Sequence, residues 1–589
     1  MMELYTAECR RFGRWAIGLG VLHAAALFFL DRTFPGMRDD EEIAVLAGFA
    51  YAVTGAIFGF YQSASYARVN HWIALLHRPL PPWRIMAGVT GAAATLAFAA
   101  VLLPLLAFTA ALTLQVGRVV DARHWPMALA GALFALIGFG IGSYLALAPR
   151  RYGWAALAAA GVLTISSLGT GTGALLLPLL VIAVLTALVM SAFKPDRSLP
   201  PSHPALLALT ASVAALSLYF LLLAGGGLAY QLGLAAIGRN PLVNIAPPGG
   251  LVEASRAESD DLLAAALASS SSPEAAVVRA RLRGVEALRL PIGYDEVPTR
   301  GDLTNIRPIT FTGPRRSVDW TYSHDTNSFL GLRLKDRRPI GEFRPVGGFE
   351  APPILLGDGS MIAGGSLYRL DPRSSALERR LHLPGEMILA KPVPIGPVAA
   401  LLSDRALHFV GPDGAGASGA TIAVPLPGLV GDLRRIDLAR LPDRIVVSFF
   451  FGRDSVEGPS RAWQRVVSVG PDGAVRTLAE RRFGPELSDA LRFRAYWLSP
   501  ALRLAAGAME RIGSGSAWSA PRARIDVSRG VWIAAGLLSL ASALATVFLA
   551  RRRRLRARET AGWALAALAL GLPMFGAFWL IRKGPRLTA

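Results

Sequence analysis

The chain has 589 residues, of which 53% are hydrophobic and only 17% charged. Soluble chains carry charge at about a quarter of their positions, so this composition excludes an ordinary soluble protein and points to a membrane protein. The formal charge of +20 comes almost entirely from arginine. Many of those arginines flank apolar stretches, as orientation signals do, so no nucleic-acid partner is expected. Cys9 is the only cysteine, and any exported region must therefore fold without an internal disulfide.

A helix that crosses about 30 Å of hydrocarbon needs about 20 apolar residues. Candidate spans lie at about 14–31, 43–62, 84–112, 125–148, 153–168, 174–193, 204–237, 530–550 and 561–581. The opening MMELYTAECRRFGRW shows no small-residue cleavage site after it, so the first apolar run reads as a retained span. With the N-terminus in the cytoplasm, Arg10, Arg11, Arg14, Arg68, Arg78, Arg84, Arg150, Arg151, Lys194, Arg197 and the run Arg551–Arg558 all fall inside. The positive-inside rule favours this orientation. The tail IRKGPRLTA is the misfit, because nine crossings would leave its positive charges outside.

The polar region at about 238–529 is then periplasmic. Pro-Pro-Gly-Gly at 247–250 breaks the seventh span, and a segment at 238–307 follows with two expected short helices. SSSSPEAAV reads as a helix start, with a serine cap and with proline and glutamate in the first turn. From about 308 the pattern becomes short alternating strands separated by Gly, Pro and Asp. SLYRLDPRSS, ALHFVGPDGAG and VVSVGPDGAV repeat one unit, a strand followed by a Pro/Gly turn. Its turns at Pro372 and Pro412 are spaced near the blade period of propellers, whereas Pro471 comes later. The fold class expected is an α-helical polytopic membrane protein with an inserted all-β, propeller-like periplasmic domain. Its parts are 1–237 (transmembrane), 238–307 (helical linker), 308–529 (β) and 530–589 (C-terminal transmembrane hairpin).

Residues 61–84, YQSASYARVNHWIALLHRPLPPWR, sit between two spans yet are basic and aromatic. The helical pattern can run past Gln62 to His77 and Arg78, where Pro79 stops it. Arg68, Trp72, Leu75 and Leu76 recur at helical spacing as an apolar stripe beside a basic face. Such a stripe can rest on anionic lipid or enter a groove on another protein.

An N-terminal cytoplasmic segment, a six-crossing block ending near Phe193 and the short amphipathic helix with RPLP resemble a permease subunit of an ABC-type exporter, of the class that moves polysaccharides, lipids, drugs or peptides. The resemblance covers roughly the first 195 residues. It implies that the loop between the second and third spans is a coupling helix seated in a separate ATP-binding subunit. The contact positions implied are Arg68, His71, Trp72, Leu75, Leu76, His77 and Arg78. Two permease folds per transporter are also implied, with no cofactor and no catalytic residue in this chain. The large exported domain, the extra crossings and the short LGTGTG connection depart from the family pattern. No GxxxxGK[ST] phosphate loop is present, so a partner chain must supply the ATPase.

Rival readings rest on fewer residues. The acidic loop with Asp39, Asp40, Glu41 and Glu42 suits the carboxylate base or metal site of a lipid-linked sugar transferase, or a solvated outward loop. A membrane sensor or scaffold with a ligand-binding β-domain is the third reading. For a quinone-linked propeller dehydrogenase the β-region is too short, and Trp320, Trp463 and Trp497 read as core aromatics. His124 and Trp125 fit an interfacial belt. His23 is an intramembrane ionisable group, either a proton relay or buried against a backbone carbonyl. His324 and Asp325 lack a second cluster at metal-ligand spacing, so a turn is expected there and no metal. Arg551, Arg552, Arg553 and Arg554 are expected to anchor the chain at lipid headgroups, and a periplasmic partner is possible on the β-domain.

Overall fold

The computed structural model describes residues 1–33, 41–115, 118–161, 173–294, 296–305, 309–313, 317–370, 377–411, 422–514 and 518–582. Among them, seven helices are long and apolar enough to cross a membrane. These are α1 (Met2–Thr33), α2 (Glu41–Tyr66), α4 (Pro82–Leu114), α5 (His124–Leu147), α6 (Gly173–Ala192), α7 (Pro204–Ala236) and α11 (Arg529–Arg552). A short helix, α3 (Val69–Leu76), links α2 to α4. Of the span expected at 153–168, residues 154–160 form a 3-10 helix, and LGTGTG falls almost wholly outside the described residues.

The bundle is organised around α5. Most of its surface is buried inside the protein, as expected for a helix that is apolar all round. It meets α2 along a seam of glycines, Gly55 and Gly59 facing Gly138 and Gly142. A Cβ on Gly138 would stand 1.8 Å from the Ala52 carbonyl oxygen, and one on Gly55 would stand 2.0 Å from that of Ala135. Helix association in lipid depends on such close backbone approach, because apolar side chains gain little over the surrounding tails. The paired G-x-x-x-G spacings, 55–59 and 138–142, carry this signal in the sequence.

The segment expected as a ninth span is a hairpin. α12 (Ala557–Leu570) and α13 (Leu572–Ile581) are separated by Gly571 at φ +66° and ψ −150°, which breaks the helix. Trp563 on α12 faces Phe578 on α13 at 5.2 Å, and Arg582 beyond α13 pairs with Glu559 near the start of α12. The chain therefore enters and returns on one face. That removes the misfit, because the described end of the tail lies beside Arg553, which donates to the Arg582 carbonyl. The same face carries α3, the N-terminus of α1 (Arg11 to Ser65 Oγ, 3.3 Å) and residues 193–197.

On the opposite face the β-region forms four antiparallel four-stranded meanders. Sheet A holds β3 (Thr310–Thr312), β4 (Val318–Ser323), β5 (Ser328–Arg333) and β6 (Pro339–Phe343). Sheet B holds β7 (Ile354–Leu355), β8 (Ser360–Ala363), β9 (Ser366–Leu370) and β10 (Leu377–His382). Sheet C holds β11 (Val393–Ile395), β12 (Val398–Leu402), β13 (Ala406–Val410) and β14 (Ile422–Pro425). Sheet D holds β15 (Leu433–Arg440), β16 (Ile445–Phe451), β17 (Trp463–Val469) and β18 (Val475–Arg482), with β1 (Ala287–Leu290) added beside β15. The repeated unit read from sequence is real in topology: SLYRL, ALHFV and VVSV lie on β9, β13 and β17, each the third strand of its meander. The third repeat comes late because the β16–β17 connection, 452–462, is long.

Successive sheets share apolar layers. Trp320 and Phe329 of A pack with Met361 and Tyr368 of B, Ile362 and Leu367 of B with Leu401 of C, and Leu402 and Phe409 of C with Ile436 and Phe449 of D. Among the described residues no sheet closes into a barrel. The other face of D is covered by two helices, α8 (Ser259–Ala268) and α9 (Pro273–Arg281), through Leu263, Leu267 and Val278. Ser272 stands at the N-cap of α9 with Pro273 and Glu274 following, as read, but makes no side-chain cap bond. Trp320 is buried against Phe343 at 4.6 Å and Trp463 stacks on Phe451 at 4.5 Å, both as core aromatics.

Two outcomes check this architecture. Gly138→Val should abolish recovery of monodisperse protein in detergent, whereas Gly91→Val, where an added Cβ meets nothing within 4 Å, should be recovered at near wild-type yield. Tags placed before Met1 and after the C-terminus should be accessible from the same side of sealed vesicles; opposite accessibility would mean that α12 and α13 cross.

Candidate functional site

The α3 segment is built by a chain break. α2 ends at Tyr66, Arg68 adopts extended backbone (φ −66°, ψ 137°), and α3 then runs from Val69 to Leu76, with His77 as its C-cap. The helix expected to run unbroken past Gln62 is therefore interrupted at Ala67–Arg68. The freed backbone is taken up locally: the Ala67 carbonyl accepts from Arg197 at 3.2 Å, and the Ser65 carbonyl lies 3.1 Å from His71 Nδ1.

The expected apolar stripe faces inward. Trp72 and Leu75 are buried in the core of the helical bundle. Trp72 meets Phe193 at 4.9 Å and donates from Nε1 to the Lys194 carbonyl at 3.3 Å, while Arg197 lies over its ring at 5.3 Å. Neither a lipid surface nor a partner groove is what these two side chains touch. The outward side is formed by Arg68, His71, Ile73, His77 and Arg78, all exposed. Arg197 is the hub that sequence reasoning missed. Its guanidinium donates to the carbonyls of Ala67, Ala146 (2.6 Å) and Leu147 (3.2 Å), tying α3 to the end of α5. Burial depresses its pKa, and it brings the neighbouring Lys194 ammonium down to about 8.

A second polar cluster joins the bundle to the β-domain. Asp121, between α4 and α5, is 2% exposed and accepts from Ser323 Oγ at 2.7 Å and His324 N at 3.0 Å. Arg123 lies 3.4 Å from Asp121 and donates to the Asp302 carbonyl (2.9 Å) and to Asn305 Oδ1 (2.8 Å). The Ala122 amide donates to Asp325 at 2.8 Å. His324 and Asp325 thus sit at a turn, as expected, and that turn is a docking point rather than a ligand site. Burial pushes the Asp302 carboxyl up to about 6, against the opposing pull of the Thr299 amide and Arg123.

This cluster belongs to a repeat. At the hairpin between second and third strands, sheet B bonds Ser366 Oγ to Glu350 at 3.2 Å and sheet C bonds Ser403 Oγ to Glu386 at 2.6 Å. In sheet A the serine that closes the second strand, Ser323, matching Ser403 in register, is bonded to Asp121 from the membrane bundle. His382 and His408 join the B and C clusters. The Ser403–His408–Glu386 group is not wired for nucleophilic catalysis. Ser403 is fully buried, and both Ser403 Oγ and His408 Nε2 (2.8 Å) converge on Glu386 Oε2, leaving no acid to orient the second ring nitrogen.

The remaining candidates are placed as follows. Asp39 and Asp40 lie outside the described residues, and Glu41 and Glu42 open α2. His23 lies 3.0 Å from the Tyr51 hydroxyl and 3.4 Å from the Ala100 carbonyl, the second of its two readings. Trp125 is partly exposed at the start of α5, beside the buried His124. Of the basic cluster, Arg551, Arg552 and Arg554 are exposed, while Arg553 turns onto the Phe578 ring at 5.4 Å and holds the C-terminal hairpin. Among the described residues no group of three or more His, Cys, Asp or Glu could hold a metal ion.

No protein family, curated protein or solved structure matches the chain. The geometry alone carries the functional argument.

The junction gives a pH-dependent outcome. The unfolded Asp302 releases its proton near the ordinary value of about 3.9, whereas the folded group holds it to about 6. Between these values the folded state binds more protons, so stability falls as pH rises and the favourable contribution is gone above pH 6. Proteolysis at 300–326 should be slower at pH 5 than at pH 7.5, by a difference worth about 1.4 kcal/mol, one pH unit's worth of binding below the folded value. Asp302→Asn should flatten it. Asp121→Ala, which leaves Arg123 buried without its carboxylate, should release the β-domain at a cost of about 3–5 kcal/mol, read as accelerated cleavage of the 118–125 loop.

Proposed function

We propose that this chain is the membrane-spanning permease subunit of an ATP-driven export system, and that a separate ATP-binding subunit docks on the outward face of α3. The observation that carries the reading is the two-sided character of α3. Its inner side is fixed by Trp72, Leu75 and the Arg197 hub, and its outer side presents Ile73, 46% exposed, among Arg68, His71, His77 and Arg78. A helix fixed on one side and bare on the other can receive a displacement and pass it on. Arg197 spreads that displacement to the ends of α2, α5 and α6, because it bonds Ala67, Ala146 and Leu147 from the segment that follows α6.

On this reading the α3 face is cytoplasmic, in agreement with the basic residues gathered there, and the β-domain projects into the periplasm from the inner membrane. The blade-like stack of four meanders recognises the exported substrate or hands it on. Two copies of the permease fold would frame the path.

Affinity purification of the full chain from its native membrane should recover a stoichiometric ATP-binding subunit. Ile73→Glu should abolish that recovery while leaving folding intact. Arg197→Ala should retain docking yet uncouple ATP hydrolysis from transport. Trp72→Ala should cost about 3–5 kcal/mol of bundle stability. Assembly that survives Ile73→Glu together with Arg78→Glu would remove α3 as the docking element.

A further inference from the structure

α1 and α2 run antiparallel and are joined rung by rung from the α3 face. Gln62 donates to Glu8 at 3.0 Å, Phe12 meets Phe58 at 5.4 Å, and His23 meets Tyr51 at 3.0 Å. A cavity of about 470 Å³ opens between Leu27 on α1 and Ala44 and Ala47 on α2, with Phe108 of α4 and Phe134 of α5 behind it. Leu303 and Thr304 of the β-domain border it on the far side. Its polar groups stand chiefly at the two ends: His23 and Tyr51 at the base, Asp31 and His124 at the mouth.

We propose that this cavity holds one acyl chain of a glycerophospholipid drawn from the leaflet on the β-domain side. The apolar walls hold water poorly, and the cavity lies within helices that face hydrocarbon, where lipid chains are the available filler. From His23 to Asp31 the helix rises about 12 Å at 1.5 Å per residue, close to half of the roughly 30 Å hydrocarbon core. The depth is therefore that of one leaflet. At the mouth Arg118 pairs with Asp31 at 2.7 Å and sets a guanidinium at the level of a lipid phosphate. Access is lateral: Leu30 of α1 and Leu46 of α2, both lining the cavity, are 46% and 71% exposed. The inference goes beyond the docking of a partner on α3 and does not depend on it. It places a lipid directly beneath the junction made by Asp121 and Arg123.

The test uses the full chain in nanodiscs of phosphatidylethanolamine and phosphatidylglycerol, with a trace of phosphatidylethanolamine carrying a diazirine near the end of one acyl chain. After irradiation, adducts should concentrate on peptides bearing Leu27, Ala47, Tyr51 and Phe108, several-fold above those on α11. Ala47→Trp should remove the excess, and Leu22→Trp, on an exposed position of α1, should leave it. Ala44→Trp is the second filling variant should the first fail to fold, and the wild-type adduct map decides if both do. Adducts spread evenly over all apolar helices, or an excess unchanged by a folded filling variant, would overturn the proposal.

Discussion

The attachment of the β-domain to the helical bundle turns on one carboxylate. Sheets B and C each satisfy their hairpin serine with a glutamate from the segment that enters the sheet, Glu350 and Glu386. Sheet A takes Asp121 from the bundle instead. The first meander is thus completed by a residue some 200 positions away in sequence, so the membrane part supplies part of the fold of the domain it carries. The other end is also held: Arg494 donates to the Leu223 carbonyl of α7, and Tyr219 of α7 donates to the Ala495 carbonyl. An open series of sheets fixed at both ends needs no closure to be rigid.

What the sequence made legible follows from the range of the interactions involved. Strand alternation and the repeated third strand depend on local periodicity and were legible, as were seven of the nine expected spans; 153–168 and 561–581 were not observed as single long helices. Asp121, Arg123 and Arg197 were visible only as loop charges, since their partners lie far off along the chain. Their roles depend on burial, which an isolated polar residue in a loop does not announce. The His324–Asp325 turn was legible as a turn, but its docking role was not, because nothing in YSHDTNS names the loop that binds it. The glycine seam between α2 and α5 is different in kind: its spacing was on the page and went unread.

Charge and topology agree once the C-terminal hairpin is recognised. Gly571 breaks a segment that, by length and hydropathy alone, is indistinguishable from a span. The pair Glu559–Arg582 then marks both ends of the hairpin on one face. An ion pair between the two ends of an apolar segment is incompatible with that segment crossing a bilayer, since the ends would stand some 30 Å apart. The described end of the chain, Arg582, thus lies beside Arg553 and Glu559, on the side where the positive-inside rule gathers basic residues.

α5 links the two polar clusters mechanically. Its first residue, His124, adjoins Arg123 of the β-domain junction, and its last turn offers Ala146 and Leu147 to Arg197 beneath α3. Twenty-four residues at 1.5 Å each make a strut of about 36 Å. At the seam of Gly55 and Gly59 with Gly138 and Gly142 no side chain acts as a compliant layer between α5 and α2: backbone rests on backbone. Packed interiors transmit displacement rather than absorb it. On the proposed reading, a movement imposed on α3 would reach the Asp121 junction as a shift of the α2–α5 pair. The cavity between α1 and α2 lies along one side of that pair, so its width is set by where α2 stands relative to α1. The His23–Tyr51 rung stands at the base of the cavity and is the pivot about which it would open or narrow.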